Sequence, residues 1–148
     1  MSNQSSVSFE TTLHVRDHCL CLAAQRAARR LARRFDEALK PAGITSGQFS
    51  LLMSLNRPEP PTVGSVANLL AMDRTTLTAN LKPLERQEMI ALVPDEKDRR
   101  VRRIRLLTRG LAALQAALPI WVATHSDIDV QIGGDQVTAL RSGLRALA

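Results

Sequence analysis

Leu77, Leu81 and Leu84 recur at i, i+4 and i+7, the spacing of one helix face. Shortly afterwards Ile104 and Leu106 alternate with Arg103 and Arg105, the spacing of a half-buried strand. A chain that changes its apolar period this quickly must set a helix directly beside a hairpin. The flanking residues agree. Thr62 can cap a short helix with Val66, Leu69 and Leu70 inward. Ala71-Met72-Asp73 makes a tight turn, and Asp73 can cap the leucine helix, which runs to about residue 88. Ala91-Leu92-Val93-Pro94 and residues 102–107 form two short strands around a charged tip at residues 95–100. Short helix, tight turn, helix and basic hairpin together spell a winged helix-turn-helix. In that layout the second helix of the pair enters the major groove, and the hairpin reaches phosphates or the adjacent minor groove.

The rest of the chain reads as helix. Residues 1–11 are polar and are expected to form a loose tail. One long helix is expected from about residue 15 to 40, with Leu20, Ala24, Ala27, Leu31, Phe35 and Ala38 on one stripe and Arg26, Arg29, Arg30 and Arg33 opposite. At about 1.5 Å per residue it would be roughly 40 Å long, too long for a small domain to cover. Pro41-Ala42-Gly43 stops it. Thr45-Ser46-Gly47-Gln48 is a capping box that opens a helix bearing Phe49, Leu52, Met53 and Leu55. Arg57-Pro58-Glu59-Pro60-Pro61 is a rigid loop. Thr108 is expected to cap a helix with Leu111, Leu114, Leu118 and Trp121, and Gly133-Gly134 to end it. A last helix carries Val137, Leu140, Leu144 and Leu147. Pro83 and Pro119 fall inside helices, where each removes one backbone hydrogen bond.

Charge identifies the partner class. The chain of 148 residues has 20 Lys and Arg against 14 Asp and Glu, a net +6. Lys97, Arg99, Arg100, Arg102, Arg103, Arg105 and Arg109, with the one acid Asp98, already sum to +6. Such a single-signed run suits a polyanion, whereas a solvated face mixes signs. Aromatic residues are 3% and Tyr is absent, which argues against base-stacking platforms such as single-strand RNA binders use. On the leucine helix Thr75, Thr78, Ala79, Lys82 and Arg86 lie opposite the leucines, and small side chains there let a helix approach base edges. A different class of reading is a helical adaptor whose basic hairpin binds an acidic protein surface.

Other classes are disfavoured. The chain has no Gly-rich phosphate loop, no Gly-x-Ser-x-Gly elbow and no His-Glu-x-x-His, so neither an enzyme nor a cofactor is expected. No run of 18 apolar residues is present, and Met1-Ser2-Asn3-Gln4-Ser5-Ser6 lacks the basic start and apolar core of a secretory signal. A cytoplasmic protein without a membrane segment is the expectation.

Asp95-Glu96-Lys97-Asp98-Arg99-Arg100, followed by Ile104-Arg105-Leu106-Leu107-Thr108-Arg109-Gly110, resembles the wing signature of the multiple-antibiotic-resistance regulator (MarR) family. The stretch from Gly43-Ile44-Thr45 through Leu55 and the run Leu84-Glu85-Arg86-Gln87-Glu88-Met89-Ile90 are similar to the same family. The likeness covers about residues 13 to 147, with Met89 where the family usually has Gly. It implies a mainly α fold with a small β-hairpin wing, in one domain over residues 12–148. Within it, residues 44–108 would be the winged lobe, residues 91–107 about the wing, and residues 12–41 and 109–148 the dimerisation helices. It further implies a homodimeric repressor or activator, with a repressor the expectation, on a pseudo-palindromic operator, released by a small aromatic ligand or an oxidant. By position Arg74, Thr75, Thr76, Thr78 and Lys82 resemble the recognition-helix set. Arg100 resembles the wing-tip arginine that enters the minor groove, Asp98 the acid that orients it, and Lys97, Arg99 and Arg102 join them as DNA-binding candidates.

Cys19 and Cys21, at i and i+2 of the expected helix, point about 200° apart, so neither a disulfide nor one shared metal is expected there. Cys21 sits at the edge of the apolar stripe and reads either as a buried structural thiol or as a redox sensor. His14, His18 and Cys21 are at i, i+4 and i+7, an acceptable though sparse ligand spacing for zinc or copper.

Overall fold

The computed structural model describes residues 7–148. In chain order the elements are α1 (Phe9–His18), α2 (Leu20–Leu39), a 3-10 turn (Lys40–Ala42), α3 (Ser46–Leu55), α4 (Val63–Leu69), α5 (Arg74–Arg86), β1 (Ile90–Pro94), β2 (Arg102–Leu106), α6 (Thr108–Ile132) and α7 (Gly134–Leu147). The chain divides into two compact units, one ending at Arg34 and the other spanning Phe35–Ala148. Among the described residues no helix is long and apolar enough to cross a membrane.

In the first unit the expected single helix is two helices. Ser8 caps α1, its hydroxyl accepting the Thr11 N–H at 3.1 Å, so residues 9–11 are helical rather than loose. The chain then leaves helical geometry at Cys19 (ψ 107°) and starts again. Cys19 takes the place of a capping Ser or Thr. Its carbonyl accepts the Ala23 N–H at 3.1 Å, and its sulfur accepts the Leu22 N–H at 3.4 Å.

The second unit holds the core. Leu39, Leu52, Val66, Leu77, Leu81, Leu84, Ile90 and Ile104 are fully buried, so the end of α2, α3, α4, α5 and the hairpin close on one centre. The three α5 leucines contribute about 1.5–3 kcal/mol each by burial. The expected capping box opens α3, with Thr45 Oγ1 accepting the Gln48 N–H and Gln48 accepting the Thr45 N–H. Thr62 caps α4 and Asp73 caps α5, as their positions suggested. Helix α5 continues through Pro83 and α6 through Pro119.

Two left-handed residues turn the chain around α5. After α4, Ala71 has φ 51°, its N–H bonds to the Asn68 carbonyl at 3.1 Å and the Met72 N–H bonds to the Ala67 carbonyl at 2.9 Å. After α5, Glu88 has φ 56°, its N–H bonds to the Glu85 carbonyl at 3.0 Å and the Met89 N–H bonds to the Leu84 carbonyl at 2.9 Å. Both ends are Schellman caps built without glycine. The helix-to-wing corner keeps this geometry although Met89 and its neighbour lack the family's glycine.

Strands β1 and β2 pair antiparallel, with Ile90 opposite Leu106 and Leu92 opposite Ile104. Thr62 bridges Arg103, and the Ile104 N–H bonds to the Pro61 carbonyl at 2.9 Å, so the proline loop lies along the edge of β2. The α6 cap differs from expectation. Leu107 is the capping residue and makes no side-chain cap bond, and Thr108 is the first helical residue. Gly110 of α6 is buried, and a Cβ there would fall 2.4 Å from the Met89 carbonyl oxygen and 2.7 Å from Leu106 Cδ1. The absence of a side chain is what lets α6 start against the base of the hairpin. Gly133 (φ 98°) separates α6 from α7, which are tied by Arg141 and Asp129 at 2.9 Å.

Candidate nucleic-acid interface

Helices α4 and α5 with the turn between them form the helix pair, and α5 presents one buried and one exposed side. Leu77, Leu81 and Leu84 face the core, while Arg74, Thr75, Thr76, Thr78 and Lys82 are exposed. Asp73 anchors the start of α5. Its Oδ1 accepts the Thr76 N–H at 2.7 Å and its Oδ2 accepts the Thr76 hydroxyl at 2.9 Å. These bonds, the backbone one first, hold the Asp73 carboxyl below the usual carboxylate range. The Thr78 hydroxyl donates to the Arg74 carbonyl at 2.7 Å. Thr76 and Thr78 therefore spend their protons within the helix, which leaves outward lone pairs and methyl groups. They can accept a hydrogen bond from a base amino group or pack on a thymine methyl, but they cannot donate without breaking a local bond. The sequence pattern alone did not distinguish these threonines from Thr75.

Arg74 folds back over α4, where a Cβ on Gly64 would lie 2.7 Å from its Nη2. The small residue leaves room for the guanidinium. Arg74, Thr78, Thr62, Gly64, Arg100 and Arg102 line a groove of about 600 Å³ between the start of α4, the exposed side of α5 and the wing. The groove brings together four residues that the sequence assigned to two separate elements: Arg74 and Thr78 on α5 and Arg100 and Arg102 on the hairpin.

The wing is built on two aspartates. Asp95 Oδ2 accepts the N–H groups of Lys97 and Asp98 at 3.1 and 3.0 Å, which folds the tip into a turn. Asp95 Oδ1 accepts Arg103 Nε at 2.5 Å, and Arg103 Nη1 donates to the Pro60 carbonyl at 2.7 Å. The Arg103 hydrogen bond, with the tip N–H groups behind it, holds the Asp95 carboxyl below its ordinary range. Asp98 Oδ1 accepts both the backbone N–H and Nε of Arg100, at 3.0 and 3.2 Å. Asp98 Oδ2 also accepts Arg100 Nη2 at 3.5 Å, so the acid holds one edge of the guanidinium while the side chain, 92% exposed, keeps its other edge outward.

The seven basic residues of the run thus divide. Lys97, Arg99, Arg100, Arg102 and Arg105 are exposed. Arg103 is turned inward, and Arg109 is tied back to the end of α5 through Glu88 at 3.1 Å. Arg103, Asp95 and Gly64 were not among the residues expected to matter. Their signal in the sequence was only their place in a basic run, at a wing base and in a short helix.

The cysteine and histidine candidates are not assembled. Cys21 is exposed rather than buried and accepts Gln25 Nε2 at 3.3 Å. The break at Cys19 puts it on a different helix from His14 and His18, which removes the shared register on which a metal site depended. His14 and His18 instead stack with ring centroids 4.1 Å apart, and His18 Nδ1 bonds with the His14 carbonyl at 2.8 Å. No group of three or more possible ligands for a metal ion occurs among the described residues.

Comparison with known proteins agrees with this architecture. Residues 44–101, from the start of the α3 region to the wing tip, match the model of the MarR family. The solved structure of the Mycobacterium tuberculosis transcriptional regulator MosR in complex with DNA is similar at 33% identity, over 88% of this chain and 93% of that one, with a TM-score of 0.80. That of the transcriptional repressor CouR bound to a 23-mer DNA duplex is similar at 27% identity, over 90% of this chain and 94% of that one, with a TM-score of 0.79. The transcriptional activatory protein BadR of Rhodopseudomonas palustris is 33% identical over 88 residues, 57% of this chain, and the match spans half of its length. With its helix pair, its charged hairpin and these likenesses over nearly the whole fold, the chain belongs to the MarR family of winged helix-turn-helix transcriptional regulators.

Proposed function

We propose that this protein binds duplex DNA sequence-specifically as a homodimer on a pseudo-palindromic operator and represses transcription by occupying it. The observation that carries this reading is the groove between α5 and the wing. It joins an exposed helix face of threonines and small residues to outward arginines, the pairing that base readout and phosphate contact require. Arg74, Thr75, Thr76, Thr78 and Lys82 are the set that would enter the DNA major groove, with Lys97, Arg99, Arg100 and Arg102 as the wing contacts and Asp98 orienting Arg100. DNA complexes of MosR and CouR, which are similar along most of the chain, support the same reading. Repression is favoured over activation because CouR, a repressor, is matched over 94% of its length, and BadR over half.

A second copy is the natural cover for the apolar surface left open. Leu140, Leu144 and Leu147 recur on one side of α7 and are 47%, 47% and 69% exposed. Such a repeat is costly in water and is usually an interface. Release by a small aromatic ligand or by an oxidant is part of the proposal. The exposed Cys21 thiol supports the oxidant, and the site of action is the cytoplasm, where the operator lies.

The test is a binding titration of the full chain on the DNA upstream of its own gene, from low to physiological salt. Neutralising six to ten phosphates should make log K fall against log salt with a slope of about −0.9 per phosphate. A shallow slope that duplex DNA does not compete away would mark an acidic protein partner instead and refute the reading.

A further inference from the structure

We propose that the arginine face of α2 is a second, sequence-independent surface for the phosphate backbone of duplex DNA, made of residues other than those of the helix pair and the wing. The charge distribution leads to it. Residues 97–109 sum to +6, and residues 26–34 hold five arginines and no acid. Everything else, with eight basic and thirteen acidic residues, sums to −5. The net positive charge thus comes from two concentrated cationic segments on an otherwise acidic remainder, and the wing is only one of them.

Arg26, Arg30 and Arg33 fall at i, i+4 and i+7, with Arg29 beside them, which makes one row about 10 Å long at 1.5 Å per residue. All four are exposed, and none forms an ion pair among the described residues. The acids of α2 are engaged elsewhere: Asp36 accepts the Ser46 N–H at 2.7 Å and Glu37 pairs with Lys40 at 2.5 Å. Like charges at these spacings repel and destabilise a helix, so the row is a standing cost unless a polyanion neutralises it. Leu20, Ala24, Ala27 and Leu31 occupy the opposite side, so a second copy packed on that stripe would leave the arginines open.

The partner is read from residue type. The row is all arginine, whose planar fork matches phosphate oxygens in pairs. Between Arg26 and Arg33 this face offers none of the aromatic anchors on which protein interfaces rely. A regular lattice of phosphates supplies what the face lacks and asks for no shape.

The experiment uses the full chain and a fluorescein-labelled duplex of random sequence. R26Q/R29Q/R33Q keeps helix-forming side chains while removing three charges. Its salt slope on the random duplex should be shallower by about 2–3 than that of wild type, from 0.9 per phosphate. R26K/R29K/R33K should restore most of that slope. Wild type should also bring donor- and acceptor-labelled duplexes together, and the glutamine variant should not. A thermal melting temperature of the glutamine variant within about two degrees of wild type reports that it is folded. An unchanged slope with unchanged pairing of duplexes overturns the proposal. So does loss, in the glutamine variant, of DNA-free oligomers seen by light scattering, which would make the row a contact between copies. If wild type binds neither DNA, the regulator reading fails. If binding to the upstream DNA persists and only the slope difference is missing, this inference alone fails.

Discussion

Arg103 Nε lies 2.5 Å from Asp95 Oδ1, and the same guanidinium reaches the Pro60 carbonyl at 2.7 Å. One side chain thus joins both strands of the wing to the loop before α4. The arginine comes from the run that looks built for phosphate, yet its charge is used inside the protein. The wing therefore projects from a braced base, which keeps Arg100 and Arg102 at one angle to α5.

Replacing Arg103 with Gln should loosen that base. Affinity for operator DNA should fall about tenfold, close to 1.4 kcal/mol, while the slope against salt stays that of wild type because no phosphate contact is lost. Asp95→Asn should weaken binding in the same direction. Anisotropy titrations at several salt concentrations separate the two effects, and a shallower slope for Arg103→Gln would make it a phosphate contact.

Arg100→Ala removes an exposed guanidinium held along one edge by Asp98. Duplex affinity should drop at least tenfold, about 1.4 kcal/mol or more, with thermal stability unchanged within a degree or two. Wild-type binding by this variant would remove Arg100 from the interface.

Acid should act through Asp73 and Asp95. Both carboxyls are held below the ordinary value of 3.8, so the stability they contribute is complete above that value and disappears as the pH falls beneath it toward their folded pKa. Denaturant titrations between pH 6 and pH 3 should therefore show stability falling at the acid end. In Asp95→Asn that fall should be smaller, and an identical pH profile for wild type and variant would exclude Asp95 as a contributor.

Gly110→Ala puts a methyl 2.4 Å from the Met89 carbonyl oxygen, a backbone atom that cannot turn aside. Overpacking of this kind costs about 1–3 kcal/mol. Urea denaturation should report that loss, and a variant as stable as wild type would mean that α6 can shift away from the hairpin freely.

Ala71→Gly should do the opposite. Ala71 is held at φ 51°, where an L side chain is strained and glycine is not. A gain of about 0.5–1 kcal/mol is expected, after allowing for the greater freedom of glycine in the unfolded chain. Thermal melts of the two proteins settle the sign.

Most of the fold could be read before any coordinates were in hand, because it rests on local rules. The capping residues Thr45, Thr62 and Asp73, the period of Leu77, Leu81 and Leu84, and the alternation around Ile104 act over a few residues, and the sequence displays them directly. The concentration of positive charge in residues 97–109 is likewise a property of composition. Other features arise from distant parts meeting. The direction of Arg103 depends on Pro60, forty-three positions away, and the start of α6 on the space at Gly110 beside Met89. The break at Cys19 escaped because a thiol seldom caps a helix, and no glycine or proline stands near it. Periodicity says which side of an element is apolar. Which guanidinium remains outside to meet a phosphate is decided by the acceptors that packing brings within reach.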